Sequence, residues 1–227
     1  MTVTLWQTYE GTKLFSVGSS GAYSYRTRHI ALDADGSPRA YHPNDTGLDA
    51  LANAGYPHKG WRSVLVVDPA DAAKPYVQPS GRTAGYFLSK TSLEDPSLAA
   101  TDPARYVDAE TTPYVVFPGA FYALKGTGAF GDLVVVRKLG TALESAAIVA
   151  DAGPSKAPLG EISLALAVAL GGTNPNPRNG HGAPSGDFQY VVFPGSRSKP
   201  AWRRGPADIR TGAGALLAGI GGWPALP

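Results

Sequence analysis

Short apolar runs bounded by turn-forming residues recur along the chain. Seven of them are rich in Val, Ile, Phe, Leu and Tyr, and they either alternate with polar residues or stay apolar throughout, which is the pattern of short β-strands. They lie at 13–18, 62–68, 85–93, 113–119, 131–139, 145–151 and 188–195. The pattern therefore predicts a mainly β protein.

Helical patterns are fewer. One covers 46–55, with Thr46 as an N-cap and Gly55 as a stop, and another covers 160–172 and ends at a glycine pair. The apolar, glycine-rich tail at 211–227 is compatible with a docked helix or an irregular strap, whereas 171–186 is too rich in Gly, Pro and Asn for regular structure and is predicted to be a surface loop. We expect two or three short helices.

The length and composition fit one turn-rich domain. With 227 residues the chain can bury a sizeable core, and nothing in it requires a second domain, so we predict a single domain over 1–227 and a monomer. The 28 glycines and 20 prolines are more than an average globular chain contains, which indicates many turns between short strands.

Charge and residue usage exclude several classes of function. The net charge is only +2, and no basic run carries interleaved aromatic residues, so a nucleic-acid partner is not expected. The absence of Cys excludes disulfides, thiolate metal sites and a cysteine nucleophile. No apolar stretch is long enough to cross a bilayer, and the first 20 residues lack the pattern of a signal peptide, so no membrane partner is expected.

Histidine and calcium chemistry are also weakly supported. The four histidines are isolated, and the chain contains neither a G-x-S-x-G elbow nor an H-E-x-x-H pair. The "DADG" stretch at 33–36 is similar to the opening of a calcium loop, but the later Glu of such a loop is missing, which favours a plain Asp-Gly turn. We therefore expect no metal site.

Two acids stand where a carboxylate pair could form. Asp151 ends an apolar run and is followed by Ala-Gly-Pro, while Glu161 precedes a largely apolar stretch. Each has a simple alternative: Asp151 as a turn residue, and Glu161 as a first-turn residue favoured by the helix dipole. Together they suit glycoside hydrolysis, in which one carboxylic acid protonates the leaving oxygen and a second carboxylate activates water or attacks.

Five segments in order resemble the chitosanases of glycoside hydrolase family 75. They are "IALDADGSPRAYHP", "GYFLSKTSL", "PYVVFPG", "AIVADAGP" and "GEISLALA", and the resemblance covers about 30–195. It implies endo-hydrolysis of the β-1,4 glucosamine linkages of chitosan, with inversion, without a cofactor, and with Asp151 and Glu161 as the essential acids. We favour Glu161 as general acid and Asp151 as general base, because burial beside an apolar helix would raise the pKa of Glu161.

The resemblance also suggests a substrate-binding set and a fold. Asp33 and Asp35 become candidate ligands for the ammonium groups of the polymer, and Tyr41 and His42, which follow in the same segment, complete the set. The "VADAG" segment is similar to the acid-bearing strand of double-psi β-barrels, so we expect a single-domain barrel of that kind. The fungal family members are secreted and carry cysteines, which leaves secretion and cytoplasmic retention both open for this chain.

Two other functions stay open. A peptidoglycan-cleaving glycosidase or lytic transglycosylase would need one acid rather than two. A noncatalytic polysaccharide-binding module would be expected to present a row of exposed aromatic side chains, and the four Trp residues are scattered instead: Trp6, Trp61, Trp202 and Trp223. Paired acids favour catalysis over binding alone.

Overall fold

The computed structural model describes residues 2–58 and 60–227, and over these residues nine strands form one mixed sheet. The strands are β1 Val3–Tyr9, β2 Thr12–Val17, β3 Tyr23–Thr27, β4 Ala31–Asp33, β5 Tyr114–Pro118, β6 Leu133–Lys138, β7 Glu144–Gly153, β8 Glu161–Ser163 and β9 Phe188–Phe193. Four α-helices accompany them: α1 Trp61–Val64, α2 Gly119–Tyr122, α3 Leu164–Ala169 and α4 Pro206–Gly219. The predicted mainly β class is confirmed, with four helices in the described residues rather than two or three.

The strand order is β1-β2-β3-β9-β6-β7-β5-β8-β4. Pairing is antiparallel from β1 to β7, whereas β7 with β5 and β8 with β4 are parallel pairs and β5 with β8 is antiparallel. β1 and β4 are the two edges, and no pairing between them exists in the described part of the chain. The predicted closed double-psi-like barrel is therefore not confirmed by the pairing.

Five of the seven predicted strands are present, as β2, β5, β6, β7 and β9. The predictions at 62–68 and 85–93 are wrong: apart from α1, these segments form only isolated bridges. The reason lies in their backbone partners, which change from residue to residue: Phe87 N–H donates to Tyr41 O, but Leu88 N–H donates to Tyr76 O. The apolar side chains are buried as a strand pattern requires, yet no continuous ladder can form.

The helix predictions needed larger corrections. Residues 46–55 form turns, because the N–H groups of Leu48 and Asp49 donate to Arg39 O and Ala40 O and are not available for a helix. The stretch 160–172 begins as strand β8, and α3 starts only after Ser163, whose Oγ accepts the N–H of Leu166 as an N-cap. Glu161 is thus a strand residue and not a helix-start residue.

Two predictions about individual segments agree with the structure. The tail adopts its helical alternative as α4, which buries Ile209 and Ala213 against one face of the sheet. Residues 171–186 contain no helix or strand, as predicted. No helix in the described residues has the length and hydrophobicity needed to cross a membrane.

The core lies on both faces of the sheet. Alternate residues of β5 point to opposite sides, so Val115 and Phe117 join one apolar cluster while Tyr114 and Val116 join the other. A third cluster, around Trp61 and other apolar side chains, lies under the loops that follow β4. These loops and the strands β7, β5, β8 and β4 enclose the candidate site.

Candidate active site

Asp151 and Glu161 lie on the two strands that flank β5. Asp151 of β7 and Glu161 of β8 are both in register with Val116 of β5. Residues directly opposite one another point to the same face of a sheet, so the two carboxyl groups share the face of Val116. Two strand spacings separate their backbones by roughly 10 Å. The structure brings this predicted pair together on either side of Val116, the middle residue of β5.

A β-bulge in β7 sets the position of Asp151. Val115 is paired with Val149, but the next residue, Val116, is paired with Asp151, so Ala150 is the extra residue of β7. In an unbroken register Val116 would face Ala150, and Asp151 would align with Phe117 on the other face. Bulges commonly re-aim a side chain next to a functional site. Here the bulge aligns Asp151 with Glu161.

The two carboxyl groups line a cleft of about 430 Å³. Five acidic side chains contribute to its wall: Asp33, Asp35, Asp49, Asp151 and Glu161. The predicted substrate-binding residue Tyr41 also lines the cleft. Predicted His42 does not; its ring packs against Tyr86, and its Nδ1 accepts the N–H of Asn44.

Asp151 is buried, with 8% of its surface exposed, and its two oxygens differ. Oδ1 accepts three hydrogen bonds, from Ser92 N–H at 3.0 Å, Ser92 Oγ at 2.6 Å and Ala152 N–H at 2.7 Å. Oδ2 accepts none from the described residues. Burial raises the pKa of Asp151, and the hydrogen bonds from Ser92 and Ala152 oppose that rise because they favour the ionised form.

The Glu161 carboxyl group, unlike that of Asp151, lacks hydrogen-bond donors among the described residues. Its carboxyl group accepts no hydrogen bond from residues 2–58 or 60–227, and burial, followed by the negative charge of Asp151, raises its pKa to about 7. Gly153 makes room for it, because a Cβ at that position would be 2.5 Å from Glu161 Oε2. Of the pair, Glu161 is the carboxyl group more suited to hold a proton near neutral pH.

Asp33 and Asp35 lie beside this pair. Asp33 Oδ2 accepts the hydroxyl of Tyr114 at 3.0 Å, and Asp33 Oδ1 accepts the N–H of Asp35 at 2.8 Å. Asp35 Oδ1 is buried without a hydrogen-bond partner. Burial and the neighbouring carboxyl groups raise the pKa of both residues well above the ordinary value.

The cluster has little positive charge near it. None of the ion pairs in the described residues includes a cleft acid. Lys90 is the cation that acts on Asp151, but its Nζ donates to Arg62 O at 2.6 Å instead. Carboxylate oxygens of Asp33, Asp35 and Asp151 lie within 4.8 Å of one another. This geometry could hold a cation, either an ammonium group or a metal ion.

Several site residues were missed by the sequence analysis. Asp49 lines the cleft, accepts the hydroxyl of Tyr41 at 3.3 Å and accepts the side-chain amide of Asn53 at 2.8 Å. It lies in the segment wrongly predicted as a helix. Ser92 lies in a segment wrongly predicted as a strand, and the hydroxyl of Tyr122 donates to Asp151 O at 3.0 Å. Ser92 and Tyr122 have a partner that is distant in the chain, Asp151, and the partners of Asp49 are close in the chain but lie outside the helices and strands, so no local pattern identifies these residues.

A larger cavity, of about 500 Å³, is bordered by the loop 171–186. Glu110 is its acidic lining residue, and the carboxylate of Glu110 is already paired with Arg39. The cavity therefore lacks a second carboxyl group that could work with the first. The smaller acidic cleft is the better candidate for chemistry.

No protein-family model matches this chain, and a comparison with curated proteins gave no match to its sequence.

Proposed function

We propose that this protein is a glycoside hydrolase that cleaves internal β-1,4 linkages between glucosamine units of chitosan with inversion. The observation that carries the proposal is the common register of Asp151 and Glu161 with Val116 across β5. Inverting enzymes need two carboxyl groups about 6.5–9.5 Å apart, so that a water molecule fits between the base and the sugar. Two side chains on one face of the sheet, with backbones roughly 10 Å apart, are compatible with this spacing.

The two environments support distinct roles. Glu161, with its raised pKa, donates its proton to the glycosidic oxygen as the bond from that oxygen to the anomeric carbon breaks. Asp151 accepts a proton on Oδ2 from the water whose oxygen forms the new bond to the anomeric carbon. One proton leaves Glu161 and one reaches Asp151, so bulk solvent restores both groups after product release. No cofactor is needed for this step.

The charge of the cleft supports an amino-sugar substrate. Five acids line it, and the ion pairs of the described residues leave all five uncompensated. Chitosan carries an ammonium group on each glucosamine, whereas chitin and cellulose are uncharged. A cluster of carboxylates with unused acceptor capacity would discriminate in favour of the cationic polymer. Asp33 and Asp35, each with a carboxylate oxygen within 4.8 Å of one of Asp151, are the proposed ammonium ligands.

We also propose that the four strands around the cleft have a double-psi-like arrangement. The parallel pairs β4 with β8 and β5 with β7 surround the cleft, and each contains a strand that carries one of the acids near its end. This is compatible with a double-psi-like arrangement of these four strands. Interstrand amide contacts measured by NMR would test it through the pairing of the edge strands.

Reducing-end release on four polymers tests the proposed function. We expect activity on chitosan and little or none on chitin, peptidoglycan and carboxymethyl cellulose. Preferential cleavage of peptidoglycan would favour the cell-wall glycosidase or lytic transglycosylase alternative. Binding without cleavage of any polymer would favour a noncatalytic module, and either outcome would overturn the proposal.

A further inference from the structure

Ser92 lies where an irregular segment crosses the end of β7. The segment is held on both sides of Ser92: Leu93 N–H donates to Ala150 O at 2.8 Å, and Thr91 Oγ accepts the N–H of Val107 at 2.9 Å and donates to Leu93 O at 2.7 Å. Thr91 and Leu93 are buried, while the Ser92 side chain is exposed. The backbone of Ser92 is therefore fixed relative to the bulge that precedes Asp151.

Ser92 directs two donors at the same atom of Asp151. Its N–H and its hydroxyl both donate to Oδ1, at 3.0 Å and 2.6 Å. With the third donor, Ala152 N–H, this oxygen is saturated, and Oδ2 is the carboxylate oxygen left to accept a proton. Hydrogen bonds from neutral donors to a carboxylate are strong and directional, so they fix the orientation of the group as well as its charge.

The contact is not a local turn motif. Ser97 makes the same two bonds to Asp95 Oδ1, at 3.0 Å and 2.6 Å, but those residues are two positions apart and form an ordinary Asx turn. Ser92 and Asp151 are 59 positions apart in the chain. The same geometry across that distance joins two separate elements at the candidate site.

We propose that Ser92 is the positioning residue of the general base: it occupies Oδ1 of Asp151, turns Oδ2 toward the cleft and keeps the carboxylate ionised among its acidic neighbours. Ser92 itself exchanges no proton with the substrate. The catalytic meaning of this inference rests on the proposed glycosidase function, whereas the effect on the Asp151 carboxylate does not.

Several ionisable groups face Asp151 and influence whether its carboxyl group is ionised. Carboxyl groups approach from β4 and the turn after it, and from β8, while a phenol on β5 and another on α2 lie nearby. Lys90, on the segment of Ser92, is the charged group of opposite sign. Among the described residues these groups are Asp33, Asp35, Glu161, Tyr114, Tyr122 and Lys90. Burial and the three carboxyl groups, when these are ionised, disfavour an ionised Asp151, so the Ser92 bonds work against them.

The test compares Ser92→Ala with the matched control Ser97→Ala. Carbon-13 NMR titration of the Asp151 carboxyl, assigned with Asp151→Asn, should give an apparent pKa about one unit higher in Ser92→Ala, which is about a tenfold change in the protonation equilibrium. The acid-side limb of kcat/KM on chitosan should move to higher pH by the same amount, because the base works only when ionised. Ser97→Ala should change neither quantity.

Two further variants separate positioning from folding. Ser92→Thr keeps a hydroxyl and should restore the wild-type titration, while Ser92→Cys, with a weaker donor, should fall between Thr and Ala. Wild-type titration of Asp151 in folded Ser92→Ala and Ser92→Cys would overturn the proposal, as would an equal shift in Ser97→Ala. If the wild-type protein cleaves no chitosan, the proposed function fails while the NMR titration still decides the role of Ser92.

Discussion

Asp151 and Glu161 are in register with the same residue, Val116, from opposite sides of β5. Their backbones belong to strands that run in opposite directions relative to one another, yet their side chains share one face of the sheet and one cleft. The rigid strand between them determines their separation. A hydrogen-bonded sheet can hold such a spacing more constantly than two loops could.

Removing the proton-transfer capacity of either acid should abolish activity while keeping the fold. Glu161→Gln and Asp151→Asn are nearly isosteric, and each should lower kcat on chitosan by about 10²–10⁴-fold, the usual size of a general acid–base contribution. Circular dichroism should be unchanged. The matched controls are Glu10→Gln and Asp208→Asn, which alter exposed acids. Near wild-type turnover in a folded Glu161→Gln or Asp151→Asn variant would remove that residue from the pair.

The product should appear first as the α-anomer. A water that attacks from the side opposite the leaving group inverts a β linkage, and the space across β5 leaves room for that water. Proton NMR of hydrolysate recorded within the first minutes, before mutarotation, measures the anomer directly. An initial β-anomer would point to a covalent intermediate and contradict the inverting mechanism.

Asp33→Asn and Asp35→Asn should weaken substrate binding more than they slow the chemical step. Each removes one carboxylate from the cluster that faces the ammonium groups, and a roughly tenfold rise in KM corresponds to ~1.4 kcal/mol. Salt should reproduce the effect in the wild-type protein, because it screens the same attraction. If both variants keep the wild-type KM at low ionic strength, these acids do not bind the polymer.

Activity should fall as the pH rises through about 7. The pKa of Glu161 is raised to about 7, mainly by burial and then by the charge of Asp151, and a general acid must be protonated to act. The alkaline limb of kcat/KM against pH should therefore lie close to neutrality. A limb that stays above pH 9 would argue against Glu161 as the acid.

The same shift has a consequence for stability. Because the folded-state pKa of Glu161 is above its ordinary value of 4.5, the favourable contribution of its protonated form is complete below pH 4.5 and is lost as the pH rises through about 7. The loss is at most about 3 kcal/mol. Glu161→Gln should accordingly raise Tm at pH 8 and have a smaller effect at pH 4, whereas Glu10→Gln should show no such difference.

Gly153→Ala should reduce activity through Glu161. The added Cβ would lie 2.5 Å from Glu161 Oε2, which forces the carboxyl group to move, while Gly153 has no positive φ that alanine would strain. A displacement of about 1 Å can cost as much as 10²-fold in rate. Gly119→Ala is the control, since its added Cβ makes only an ordinary 3.6 Å contact. Equal activity of the two variants would show that the position of Glu161 is not critical.

Local patterns along the sequence were sufficient to predict the mainly β fold class and five strands of the sheet. In β5, β6, β7 and β9 the β-branched and aromatic runs are buried almost throughout, so their identity depends mainly on their own composition. The glycine, proline and asparagine content of 171–186 was likewise sufficient to predict an irregular segment. The five ordered segments that resemble the family 75 chitosanases predicted Asp151 and Glu161 as a pair.

Tertiary structure alone decided how that pair is arranged. Glu161 lies in a strand rather than at a helix start because Ile162 pairs with Val115 and Leu32 on either side, and those partners are 47 and 130 positions away. The bulge at Ala150 and the contact of Ser92 with Asp151 depend in the same way on groups that are far apart in the chain. Local periodicity reflects the burial of each segment, whereas strand register is set by pairing between distant segments, so only the folded chain could place these residues around one cleft.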